Sequence, residues 1–149
     1  MLNGKFWLIK APRIGVPYFI VSVILAGIFY AVPPYRITNN FLSQLGQVYV
    51  FGELNLVSCI LFNSGMVIVG IIIALFYFNI NLIFSEKLYK KTLVTFLRFS
   101  GILSGLFFSM VGVFTTDINF PYHLFFANNA FYLLLITSVL HTYLILVSN

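Results

Sequence analysis

The sequence predicts an all-α fold, a polytopic integral membrane four-helix bundle in which residues 1–149 form a single transmembrane domain. Three observations lead there. Apolar residues make up 61% of the chain and charged residues only 7%, against about 45–50% and about 25% in globular domains. Eight Lys and Arg with three Asp and Glu cannot clothe a water-exposed surface, which excludes an ordinary soluble domain. The apolar residues also collect in four uncharged stretches, each close to or above the roughly 20 residues a helix needs to cross about 30 Å of hydrocarbon.

The first stretch, residues 14–35, predicts a helix over 14–32 whose membrane part ends at Val32, because Pro33 and Pro34 cannot continue it. Its basic flank, MLNGKFWLIKAPR, resembles the start of a secretory signal. The apolar run exceeds the usual 7–15 or so residues, however, and three more spans follow, so it reads as a retained first helix. Phe6, Trp7 and Leu8 with Lys5, Lys10 and Arg13 suit a short interfacial segment, a disordered basic tail being the alternative. The second stretch, 54–85, predicts a helix over 56–82, long enough to tilt or to overrun into the interface. The third, between Arg98 and Asp117, is near the minimum length, so its helix is expected to begin earlier and to run over 94–115. The fourth, 118–149, predicts a helix over 122–147, starting after Pro121.

Four crossings put the N-terminus, the second loop and the C-terminus on one face. That face holds Lys5, Lys10, Arg13, Lys87, Lys90, Lys91 and Arg98, and only Arg36 lies opposite. Basic residues are retained in the cytoplasm, so both termini are expected there, with the loops 33–55 and 116–121 outside. A net charge of +5 raises the question of nucleic acid, but the basic residues flank apolar spans rather than interleave with aromatics on a wettable surface. Membrane lipids are the expected partners, and nucleic acid is not. Cys59 is the single cysteine, which excludes an internal disulfide, a thiolate zinc cluster and a CxxC pair.

Lipid tails are as apolar as leucine, so helices in a membrane associate through shape. The third helix carries Gly101, Gly105 and Ser109 at four-residue spacing, with Gly112 nearly in register. Ser22 and Ala26 in the first helix and Gly70 and Ala74 in the second offer matching small residues. This predicts close packing around the third helix, a homodimer face being the less favoured use.

Polar side chains at membrane depth are costly unless buried in protein or facing water. Asn63 lies about two turns below the outer end of the second helix, and Asn128-Asn129 lie at a comparable depth in the fourth. Glu53, Asp117 and His123 gather at the outer boundary, near Arg36, Ser43 and Gln44. A carboxylate beside a histidine can orient the ring for acid–base work, and two carboxylates with a histidine can hold a divalent metal. Asp117 and His123 are six residues apart across a proline, which matches no metal signature, and no serine or cysteine is paired with a base. No catalytic residues, no metal site and no cofactor are therefore expected. The candidate ligand-binding residues are Asn63, Asp117, His123 and Asn128, converging on one small polar recess at the outer interface; the structural alternative, which is favoured, is a hydrogen-bonded asparagine pair joining two helices and a helix-starting Asp117/His123 loop at a wet interface.

Ser43-Gln44-Leu45-Gly46, then Phe62-Asn63 with Gly65 and Gly70, then Gly101 and Val111-Gly112-Val113-Phe114 leading to Asp117 and His123 resemble the pattern SxLG, FN, G, vGxFxxD, H. That pattern is similar to the prokaryotic domain-of-unknown-function family nine-nine-eight and, more remotely, to the DRAM and Frag-type polytopic membrane proteins. The resemblance covers residues 42–131 and implies a helical bundle with an outward-facing polar cluster in a prokaryotic plasma membrane. Members commonly have about six helices against the four expected here, and the acid common in the first motif is Gln44. Three functions remain to be separated. The favoured expectation is a non-catalytic membrane subunit or scaffold, with a protein partner or self-association through its transmembrane helices. The alternative is a lipid-binding or headgroup-processing protein with a polar site at the outer face. A transporter is disfavoured, because no charged residue sits at mid-membrane and no matched pair of broken helices occurs.

Overall fold

Backbone amides in hydrocarbon have only each other as partners, so uncharged segments of this length close their hydrogen bonds internally as helices. The computed structural model of the protein describes residues 4–31, 33–84 and 88–148, with the side chains of 88–90 and 148 left aside. The molecule is 78% helical. Its four helices are α1 (Ala11–Ile28), α2 (Leu56–Phe78), α3 (Leu88–Val113) and α4 (Phe120–Ser148). A π-helical turn over Phe6–Lys10 leads into α1 and makes one continuous apolar span, Phe6–Ile28. All four helices are long and apolar enough to cross a bilayer, and the protein is a small multi-pass integral membrane protein.

The helix ends differ from those expected, each for a local reason. The first helix runs from residue 11 to 28 rather than over 14–32. At its end the Ala31 amide donates to Asn55 Oδ1 at 3.0 Å instead of continuing the helical ladder. At its start the π turn stands just before Pro12, whose missing N–H breaks the ordinary register. Val32, the expected end of the span, and Lys87 of the basic loop lie outside the described residues. The second helix stops at Phe78 instead of 82, because Asn79 Nδ2 donates to the Leu75 carbonyl at 2.7 Å and the chain tightens into a 3-10 turn over Ile80–Leu82. The third begins at 88 rather than 94 and ends at 113 rather than 115. Leucine and lysine are good helix formers and carry it past the apolar stretch. The fourth begins at 120, two residues before expectation: Asn119 Oδ1 accepts from the Tyr122 amide at 3.4 Å, and Pro121 is tolerated in a first turn.

The helices pack in chain order, α1 on α2, α2 on α3 and α3 on α4, while among the described residues α1 and α4 make no comparable contact. The α2–α3 contact is the tightest. A Cβ added to Gly105 would stand 2.5 Å from the Ala74 nitrogen and 2.6 Å from the Gly70 carbonyl oxygen, so here the two backbones touch. Ser109 Oγ donates across the seam to the Val67 carbonyl at 3.1 Å. The small-residue stripe of α3 is thus an intramolecular contact, and Gly65 of α2 makes room for the Ser22 and Phe19 side chains of α1. Thr137 of α4 donates to Ser100 of α3 at 2.9 Å, both fully buried. One apolar core lies toward the loop end of the bundle around Leu45, Phe62, Met66 and Val111. A second lies toward the basic end around Ile80, Leu97 and Leu144.

Candidate functional site

The loop end is built on polar residues at the start of α2. Asn55, Ser58 and Asn63 project from one side of its first turns toward the 3-10 turn Leu42–Gly46. Ser58 Oγ donates to the Leu45 carbonyl at 2.9 Å, Asn63 Nδ2 to the Gly46 carbonyl at 2.9 Å, and Asn55 Nδ2 to the Gln47 carbonyl at 2.9 Å. Gly46 is required for this approach, since a Cβ there would stand 2.9 Å from the Phe62 ring and closer still to Asn63 Oδ1. Gln44 caps the turn: its Oε1 accepts from the Phe41 amide at 2.9 Å and from Asn40 Nδ2 at 3.1 Å. A short antiparallel hairpin follows, Tyr49–Val50 (β1) against Glu53–Leu54 (β2). Its two turn residues, Phe51 and Gly52, both have positive φ, 50° and 88°, the geometry of a type I′ turn.

The α3–α4 loop is tied to this assembly by Asp117, whose Oδ2 accepts from the Val48 and Tyr49 amides at 2.8 and 3.0 Å. Gln47 Nε2 adds a bond to Thr116 Oγ1 at 2.9 Å. Burial pushes the Asp117 carboxyl up, but the Tyr49 and Val48 amides favour the charged form and hold it below its ordinary value. Burial raises the phenols of Tyr30 and Tyr35.

The four residues expected to share one recess are placed apart. Asn63 bonds Gly46 and, at 3.3 Å, Cys59 Sγ, and faces a groove between α2 and α3 that Gly112 also lines. Asp117 is turned to the hairpin backbone. His123 is 7% exposed and holds its Nδ1 2.7 Å from the Phe114 carbonyl. A carbonyl only accepts, so Nδ1 donates, and in the neutral ring Nε2 is left as an acceptor. Asn128 lies exposed on the outer side of α4. Glu53 is exposed on β2. Among the described residues no group of three His, Cys, Asp or Glu side chains is placed to hold a metal ion.

Two features were not foreseen. Asn55, 2% exposed, joins the end of α1, the 42–46 turn and the start of α2; the spacing of 55, 58 and 63 along one helix side was its only sequence signal. The other is a cleft between α1 and α4, floored by α2 and α3. Its volume is about 430 Å³, and its walls include Phe19, Phe62, Met66, Phe108, Ala127 and Phe131, with His123 and Ser43 at the loop end. A second cavity of about 260 Å³ occupies the next turns of the same helices, between Gly15 of α1, Ile73 of α2 and Leu134 of α4. Comparison with family models, curated proteins and solved structures finds no match for this chain.

Proposed function

We propose that this membrane protein binds a bilayer lipid, with an acyl chain in the cleft between α1 and α4 and the ester or headgroup end beside His123 and Ser43. The observation that carries this reading is the cleft itself. Its volume of about 430 Å³ falls in the roughly 300–1,000 Å³ of ligand sites, which are mostly apolar with a few polar groups fixing orientation. The His123 and Ser43 side chains are such groups at one end of an otherwise apolar wall. Because α1 and α4 do not close on each other, a lipid reaches the cleft sideways without leaving the bilayer. The charge distribution supports cytoplasmic termini: Lys5, Lys10, Arg13, Lys91 and Arg98 lie toward the end away from the hairpin, and Arg36 is near it. The polar end of the cleft then belongs to the outer leaflet.

The second reading, a non-catalytic subunit or scaffold, is favoured by the engagement of Asn55, Asn63 and Asp117 in joining loops. Native mass spectrometry of the protein released from mild detergent separates the two. On the lipid reading the wild type carries one phospholipid mass, Ala127→Phe loses it by filling the cleft, and Leu106→Phe on the exposed side of α3 keeps it. A wild type without lipid, or Ala127→Phe retaining it as well as wild type does, sinks the lipid reading. A protein partner at fixed stoichiometry then favours the scaffold.

A further inference from the structure

The outer face of α4 presents a pattern that its packing inside the bundle does not use. The inward face is a seven-residue repeat, His123, Ala130, Thr137 and Leu144, all buried. Nearly opposite runs a second seam at alternating three- and four-residue steps: Phe125, Asn128, Tyr132, Leu135 and Val139, with Leu146 one heptad beyond. These apolar residues are 53–71% exposed, Phe125 least and Leu146 most. Such spacing suits the knobs of a helix packed against another helix, in either orientation.

Asn128 decides what the partner is. It lies six residues from the middle of the 29-residue α4, about 9 Å along the helix, well inside a hydrocarbon core of about 30 Å. Its neighbour Asn129 satisfies its own amide on the Phe125 carbonyl at 2.8 Å. The Asn128 side chain is exposed and makes no hydrogen bond among the described residues. A bare carboxamide facing acyl chains is costly, and a bond across a helix interface removes that cost.

Two copies of one membrane chain insert with the same topology, so a two-fold axis relating them is parallel to the membrane normal. Every residue on the axis then meets itself at the same depth. A carboxamide has both donor and acceptor, so it complements itself across such an axis, as a lone seam asparagine does when it sets the register of parallel helices. We infer that the protein forms a two-fold homodimer through the outer face of α4, with Asn128 paired to the partner subunit's Asn128. This assignment does not rest on the lipid cleft, which lies on another side of α4.

Cysteine cross-linking in native membranes tests it on the full chain. In a Cys59→Ser background, Leu135→Cys on the seam gives a covalent dimer under mild oxidation, and Leu133→Cys, half-buried and about 160° around α4 from Leu135, gives about a tenth as much. Adding Asn128→Leu weakens dimerisation at position 135 roughly tenfold, the effect of one interhelical polar pair, while Asn128→Gln retains it. Asn128 projects outward, so the fold survives the change, and an unaltered thermal melt of the monomer confirms this. Equal cross-linking at 135 and 133, insensitivity to Asn128→Leu, or an adduct whose mass belongs to a different chain overturns the homodimer.

Discussion

Replacing Gly105 by alanine adds one methyl group where α2 and α3 touch through their backbones. The new Cβ would stand 2.5 Å from the Ala74 nitrogen, 2.6 Å from the Gly70 oxygen and 3.0 Å from the Ala74 Cα. These are main-chain atoms inside a helix, and no rotamer change moves them. Restoring ordinary contact at about 3.5 Å requires the helices to part locally by about 1 Å, which forfeits a quarter to a half of each dispersion contact along the seam. It also stretches the Ser109–Val67 bond, now 3.1 Å, beyond useful length. Overpacking of this kind costs about 1–3 kcal/mol. The same substitution at Gly27 is the control, since its Cβ meets only the Tyr35 ring, at 3.8 Å. There alanine gains about 0.5–1 kcal/mol over glycine from helix propensity. Unfolding both variants in one detergent, followed by circular dichroism, should therefore give shifts of opposite sign. If Gly105→Ala is as stable as Gly27→Ala, the backbone contact between α2 and α3 is not what holds the bundle.

Two further outcomes follow from the loop end and the charge pattern. The folded Asp117 carboxyl lies below its unfolded value, so its stabilising contribution is present above the ordinary carboxylate range, about 4, and is lost as pH falls through the folded value. Thermal melts should show a steeper acid loss of stability in wild type than in Asp117→Asn, and identical acid slopes would show that the carboxylate does not clamp the hairpin. In a Cys59→Ser background, a membrane-impermeant thiol reagent applied to intact cells should label Ile37→Cys, 83% exposed, and leave Thr92→Cys unlabelled; the reverse pattern refutes cytoplasmic termini.

The candidate site was only partly legible in the sequence. Asn63, Asp117 and His123 stood out as polar groups near a boundary, and all three do lie toward the loop end of the bundle. Their partners were hidden because those are backbone groups: the carbonyls of Gly46 and Phe114 and the amides of Val48 and Tyr49. No side-chain pattern marks a carbonyl that has been left free by a turn. Asn55 read as a residue just before a helix, yet it secures the end of α1 through Ala31, 24 positions away.

The sequence by itself determined the class of the protein, the number of its spans and the small-residue seam of α3. A bilayer acts on the chain as a one-dimensional filter of length and polarity, and glycine spacing along one helix is likewise a local property. Tertiary structure alone decided which way each polar side chain turns and where the cleft opens. α4 is apolar on nearly all sides, so hydropathy does not distinguish the face at Ala130, 1% exposed, from the face at Leu135, 65% exposed. In lipid there is no water to make one face pay for exposure, and the azimuth of a helix is set by the shapes of its neighbours. The placing of α1 on α2 and of α4 on α3, with a gap between them, follows from those shapes and from no single stretch of the chain.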